Sequence, residues 1–560
     1  MSAAEPILSR KRDSTSSLQE KISLQGTSPM TPIDRLPWTA APMSGPSSIM
    51  ANVKASLTSL RQFSARNMPK SSAPPPPPDY FPTSSSIHVG TSRGFARHFR
   101  SACIFLLPSF LARKGRPDEP LRSTAFLDGL RGIAAFAVYI HHMTYLIFEE
   151  DQAWTAEHNH NWFRMPILKL IIAGPAAVLV FFVVSGYSLS LKPVQQMRNG
   201  ERNAALLTLQ SALFRRPLRL YLPIIASTFL VALCVNIGAF DFTRPFHDDK
   251  IVFKHMLEQT FHRPAGGMLS GESGSLPHWL KEIIWLCITP IRHWSDGGFH
   301  FSYDPHLWTL PIEFFASITL FVTMIALAGV RTRMRLLILS VLLVLSVVYD
   351  WWAMTLFWAG WMLVEVNSSI VGPKLLPMPL SNHQQLGVST TYPRLASVWQ
   401  KVRVPFHVTN FICALYLLSA PEYWCNAEPF HMALCLAVNP KVVIPWRFWA
   451  SLGAIQLVAG VSNAPFLARI FTTRPINYLG KLSFALYLVH GLVNHLFGVV
   501  VFWCTFTLIG QETTTAFRCA YLMGLALNTV MVIWVADIFM RLVDEPSVKL
   551  ARRFEKWCFA

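Results

Sequence analysis

The sequence predicts an all-α protein: a polytopic bundle of about ten transmembrane helices behind a disordered N-terminal cytosolic tail. Three observations carry this. Charged residues make up 14% of the 560 and apolar residues 52%, with a mean hydropathy of +0.35; a soluble domain has about 25% charged residues. From Phe126 onward, apolar stretches of spanning length recur. The excess of 49 Lys+Arg over 31 Asp+Glu, a net +18, gathers in the tail and on alternate loops. This composition excludes a coiled coil, a fully disordered chain and an ordinary soluble enzyme.

The tail comes first. Residues 1–122 hold 16 Lys+Arg, 7 Asp+Glu and 16 of the 39 prolines, including the run Pro74 to Pro78. No apolar periodicity there can bury a core, so 1–120 reads as a disordered, basic Pro/Ser-rich segment. Its charges are scattered rather than interleaved with aromatics on a folded face, which argues against nucleic acid as a partner. No apolar run follows the start, so no signal peptide is expected. The stretch 101–112, flanked by Arg97, Arg100, Arg113 and Lys114, is too short to span and is expected to lie in the membrane interface.

The spans follow. They centre on 126–148, 167–190, 220–240, 307–330, 334–350, 352–366, 406–420, 446–464, 482–503 and 518–540, with a further apolar piece at 429–440 that is either re-entrant or an extra span. The loops test the count. With the tail in the cytosol, 149–166 is outside and carries Glu149, Glu150, Asp151 and Glu157 against Arg164. Loop 191–219 is inside and basic, and 241–306 leans acidic outside. Arg331, Arg333 and Arg335, then the acid-free loop 367–405, then Arg469 and Arg474, return inside. The alternation predicts both termini in the cytosol, with 551–560 a short tail, in the plasma membrane or an endomembrane. The nine cysteines show no paired or metal-ligand spacing and read as apolar fillers in helices. The sequon at Asn367 falls in a cytosolic loop and should be silent.

Ionisable groups inside spans are costly and mark function. Arg131 and His142 in the first span are eleven residues apart, which puts them about 20° from one face and about 16 Å apart along a helix. The guanidinium then lies near the cytosolic end and the imidazole near mid-membrane, with His141 turned about 80° the other way. Alone, each is a snorkelling arginine or a packed histidine; together they are harder to explain by packing. Further polar blocks follow in order. They are Phe181 to Tyr187 with Ser185, the basic stretch Arg215, Arg216 and Arg219 to Pro223, and His306 to Glu313 with Trp308. The last two are Leu479 to His490, and Asp544-Glu545-Pro546.

In order and spacing these blocks resemble the acyltransferase 3 family of integral-membrane acyltransferases, in a fungal-type branch, over residues 121–550. The Arg-x10-His pair is Arg131 and His142, and the FFxxSGY, RxxRLxP, WTLxxE, LGxxSxxLYLxH and terminal ExP-type blocks all have counterparts. Phe484 stands where tyrosine is common, and the loop 241–306 is long. The resemblance implies transfer of an acyl group, often acetyl, from acyl-CoA as co-substrate to a hydroxyl of a carbohydrate or small metabolite. Secondary-metabolite decoration fits the branch. No permanently bound cofactor and no metal are expected.

The residues suit that chemistry. A hydroxyl needs a base, and His142 is the candidate, with His141 orienting or replacing it. Arg131 suits the phosphates of the donor, and Arg215, Arg216 and Arg219 could add contacts. Glu313 could fix the imidazole tautomer, while Ser185, Tyr187, His306, Trp308 and His490 are candidates for substrate binding. No GxSxG or reactive-cysteine motif occurs, so direct transfer is expected rather than an acyl-enzyme. A transporter using the intramembrane Arg, His and Glu as a relay is the rival reading, although no duplicated half supports it. A catalytically dead scaffold is a third.

Overall fold

A computed structural model describes residues 124–145, 162–241, 267–292, 301–371, 393–423, 425–440 and 443–559, with a few single positions beside them. The tail 1–106 and most of the interfacial stretch 101–112 lie outside the described residues. All described elements are helical. They are α1 (Ala125–Tyr145), α2 (Gly174–Arg198), α3 (Arg202–Asn236), α4 (Leu276–Arg292) and α5 (Thr309–Leu327, entered through the 3-10 turn Pro305–Trp308). Then come α6 (Thr332–Val348), α7 (Trp352–Val371), α8 (Pro393–Leu418), the short α9 (Met432–Leu436), α10 (Pro445–Asn463) and α11 (Pro465–Phe471). The chain closes with α12 (Arg474–Val493), the π-turn Asn494–Gly498, α13 (Val499–Ile509), α14 (Thr514–Phe539), a second π-turn Met540–Asp544 and α15 (Glu545–Phe559).

Every predicted span coincides with a helix, but fewer than ten pass as spans by length and apolarity. Five helices do, namely Gly174–Arg198, Arg202–Asn236, Pro305–Leu327, Arg474–Ile509 and Thr514–Phe559, and the pair α10–α11, bent by 107°, makes a sixth if it counts as one. The shortfall has physical causes. α1 carries Asp128, Arg131, His141 and His142, and α6 is only 17 residues long. The protein is a multi-pass helical membrane protein.

Two apolar cores share α1. Its first turns (Phe126, Leu127, Leu130) pack with α2, α5, α7 and α10, while Ala134 to Met143 pack with α3, α12, α13 and α14. Its main partner is α12, and the two meet backbone to backbone at Gly132 and Gly480. A Cβ on Gly480 would run into the Asp128 carbonyl, and one on Gly132 into the Gly480 backbone.

Several expectations change. The second span begins at Gly174 with Pro175 in its first turn, because 3-10 turns occupy 162–172. The loop 241–306 contains the amphipathic helix α4. Asn367 is not in a loop but buried in α7, where it donates to Ser462 Oγ (3.1 Å) and Tyr187 Oη (3.3 Å). The piece 429–440 is turns and the five-residue α9, too short to span. Two cysteines are not fillers: Cys425 and Cys435 form a disulfide, brought together by a turn that no local spacing motif announces. Residues 551–559, expected as part of a short tail, continue α15, with Phe554 stacked on Phe214 (5.6 Å) and Glu555 paired with Arg215 (3.1 Å).

Candidate active site

The Gly132–Gly480 contact sets the site. His142 and His490 each lie ten residues past their glycine, about 15 Å further along two helices running the same way. The two imidazoles therefore arrive at one level, with ring centroids 5.3 Å apart. His306, on the turn that enters α5 from the opposite direction, closes the group at 3.7 Å from His142 and 4.8 Å from His490. His142 is in the last turn of α1, so the imidazole sits at the end of that helix rather than halfway along it.

Acceptor-only partners fix two of the three tautomers. His490 Nδ1 donates to the carbonyls of Tyr487 (2.8 Å) and Leu486 (3.2 Å), which leaves Nε2 bare. That side chain is wholly buried, and among the described residues its Nε2 has no hydrogen-bond partner. His306 Nδ1 donates to Asp304 Oδ1 at 2.8 Å, again leaving Nε2 as the acceptor. Tyr487 locks the same turn, donating to the His306 carbonyl and lying 2.6 Å from Thr309 Oγ1. The candidate ligand nitrogens of His142, His306 and His490 all lie within 4.8 Å of one another. Three imidazoles round a tetrahedral ion keep their centroids about 5 Å apart, so the 3.7 Å pair is too close for a formed metal site.

The other predicted residues divide into groups. Arg131 is eleven residues back along α1, donating to Ser188 Oγ (2.7 Å) and 3.7 Å from Asp128. It lines a cleft of about 200 Å³ with Thr124, Asp128, Ser188, Lys192 and Gln195. Between the two ends stands Glu313. It accepts from Arg216 (2.8 Å) and from Ser185 Oγ (3.4 Å), and no hydrogen bond joins it to a histidine among the described residues. Arg219 feels the charges of Arg216, Arg131, Asp544 and Glu313. Arg215 points instead to Glu555 on α15.

Three candidates are held elsewhere. His141 turns from the cluster and donates from Nδ1 to the Ile172 carbonyl (2.9 Å), its ring against Gly174. On the same 3-10 turn as Ile172, burial pushes the Lys169 ammonium down to about 8, with Glu428 opposing the shift. Tyr187 accepts from Asn367, and Trp308 packs toward Trp352 (6.4 Å).

Two site residues escaped the sequence reading. Asp304 precedes Pro305 and His306 and caps their turn, a local pattern that was there to be read. His495 is buried in the π-turn after α12, and only the tertiary fold brings it to the cluster.

The sequence was compared with known proteins. The profile described as Acyltransferase domain matches residues 124–535. The chain is 29% identical over 480 residues to the O-acetyltransferase PaAT-1 of Phomopsis amygdali, covering 81% of this chain and 88% of that one. It is 29% identical to the acyltransferase clz18 of Cochliobolus lunatus (77% and 95% covered) and 28% identical to the acyltransferase R4 of a Phoma species (78% and 96%). No solved structure matches it. With most of its helical domain covered by that profile, and the Arg131 and His142 blocks inside it, the chain belongs to the acyltransferase 3 family and is an acyltransferase for groups other than amino-acyl groups.

Proposed function

We propose that the protein is a membrane-embedded O-acyltransferase that moves an acetyl group from acetyl-CoA to a hydroxyl of a small metabolite or carbohydrate, with His142 as general base. One observation supports this most. A cationic cleft around Arg131 and an imidazole cluster around His142 sit at the two ends of α1, about 16 Å apart. A polar ladder lies between them. Ser188 accepts from Arg131 and donates to the Ser185 carbonyl, and Ser185 donates to Glu313. A donor whose phosphates are held at one end and whose thioester hangs on a long flexible arm matches that layout.

The transfer is direct. His142 takes the proton as the acceptor O–H bond breaks, the oxygen attacks the thioester carbon, an O–C(acyl) bond forms and the C–S bond breaks. The proton returns from the imidazolium to the departing thiolate, releasing free CoA. Transfer of an acetyl group to oxygen is in line with the O-acetyltransferase named among the relatives. The chain crosses the membrane ten times with both termini cytosolic. The Cys425–Cys435 disulfide supports placing 421–443 on the oxidising side, in the endomembrane system or at the cell surface.

The test uses purified protein in lipid nanodiscs with acetyl-CoA and a panel of hydroxylated acceptors. Free CoA should accumulate only when an acceptor is present. His142→Ala should lose at least about 10²-fold in turnover while folding normally. Wild-type turnover in that variant would remove His142 as the base.

A further inference from the structure

His142 has a weakness as a base. Three other imidazoles crowd round it: His306 at 3.7 Å, His141 at 5.0 Å and His490 at 5.3 Å between ring centroids. Placing a proton among packed, buried imidazoles creates a positive charge that water does not solvate and that each neighbour, if also protonated, would repel. One anion is hydrogen-bonded to the cluster among the described residues. It is Asp304, 5% exposed, whose Oδ1 accepts from the His306 ring at 2.8 Å and from the His306 backbone N–H at 3.2 Å.

We propose that Asp304 is a positioning residue that acts through His306 to make the His142–His306 pair a working base. The two rings touch, so beyond its two resident N–H protons the pair takes up one proton, and one positive charge, at most during turnover. The carboxylate fixes His306 with its proton on Nδ1 and its lone pair turned from Asp304. It also supplies the countercharge for the cation that forms when the acceptor hydroxyl gives up its proton. The proton balance is unchanged. The proton leaves the hydroxyl, resides on the pair while the C–S bond breaks, and passes to the thiolate.

The surroundings single out this carboxylate. α1 contributes His141 and His142, α12 contributes Tyr487 and His490, and the π-turn contributes His495. The segment before α2 contributes Arg164, which faces His141. Glu313 is reached electrostatically from Tyr487 but is hydrogen-bonded to Arg216 and Ser185. The close approach of Gly491 to His306 and Asp304 leaves no side chain between α12 and the dyad.

The inference rests on the transferase reading above, and one substitution isolates it. Asp304→Asn keeps an oxygen acceptor for the ring and for the backbone N–H, and asparagine caps a helix as well as aspartate does. Only the charge is lost. Acetyl transfer at saturating donor is expected to fall about 10²-fold. The acid limb of the pH–rate profile is expected to move to lower pH, because a pair without its countercharge holds a proton less firmly. A residue that only shapes the turn would leave the profile in place. The double-mutant cycle with His306→Gln adds a second reading: once His306 is gone, Asp304→Asn should cost nearly nothing more. Wild-type rate and profile in Asp304→Asn, or additive losses in the cycle, overturns the proposal. If His142→Ala also turns over normally, the base assignment fails as well; if His142→Ala is inactive, only the role of Asp304 falls.

Discussion

At the scale of single residues, Arg131 and Glu313 show how much a partner matters. Arg131 is held by Ser188 and Asp128 and lines a cleft, its side chain 26% exposed. A free guanidinium face in a polar cleft suits a phosphate. Arg131→Ala is therefore expected to raise KM for acetyl-CoA about tenfold or more while changing kcat less, since a charge-assisted hydrogen bond contributes about 1.5–3 kcal/mol. Arg131→Lys should recover only part of that, because a point charge does not reproduce the fork. Wild-type donor kinetics in Arg131→Ala would move the donor site elsewhere. Glu313 teaches the opposite lesson. Its place seven residues after His306 suggests an imidazole partner, yet seven residues is about 10 Å of rise. That carries the carboxylate down to Arg216. The histidine finds its carboxylate two residues before it instead.

At the scale of elements, glycines decide which polar groups meet. α1 and α12 approach at Gly132 and Gly480 with no side chain between them, and ten residues later in each the histidines face one another. Gly480→Ala puts a Cβ into the Asp128 carbonyl, an overpacking that costs about 1–3 kcal/mol and pushes the two helices apart. Turnover is expected to fall well below a tenth of wild type. Gly329→Ala, where a Cβ meets only the end of the Arg202 side chain, should behave as wild type in the same assay. Equal activity in both variants would show that the contact does not set the register. A second set of elements is tied by charge. Glu365, fully buried in α7, accepts from Arg198 at the end of α2 and from Arg335 on α6. Those arginines read as loop charges that orient the chain. In the fold they also join three helices, which composition alone does not reveal because the acid lies more than 150 residues from Arg198.

At the scale of the whole molecule, the proposed ten crossings and the alternation of loop charge make a prediction about sidedness. Cys287 on α4 and Cys558 near the end of α15 are both exposed, free thiols. In sealed, oriented vesicles, an impermeant thiol reagent should label Cys287 from the non-cytosolic side and Cys558 from the cytosolic side, read in variants that retain one of the two. Labelling of both from one side would break the alternation and with it the count of ten crossings. The Arg131 cleft and the histidine cluster lie eleven residues apart along α1, about 16 Å.

Some of this was determined by the sequence alone. A low charged fraction and repeated apolar stretches make a helical membrane protein, because an unpaired backbone in lipid is prohibitively costly and helices satisfy it locally. The eleven-residue spacing of Arg131 and His142 likewise put a cation and an imidazole on one helix face, because helical geometry is local and periodic. The tertiary structure alone decided that His142, His306 and His490 form one cluster, that Glu313 serves Arg216, that His141 turns away and that Cys425 pairs with Cys435. Each of those contacts joins helices or turns through packing and hydrogen bonds between side chains distant along the chain or folded across a turn, and such meetings leave no period in the sequence.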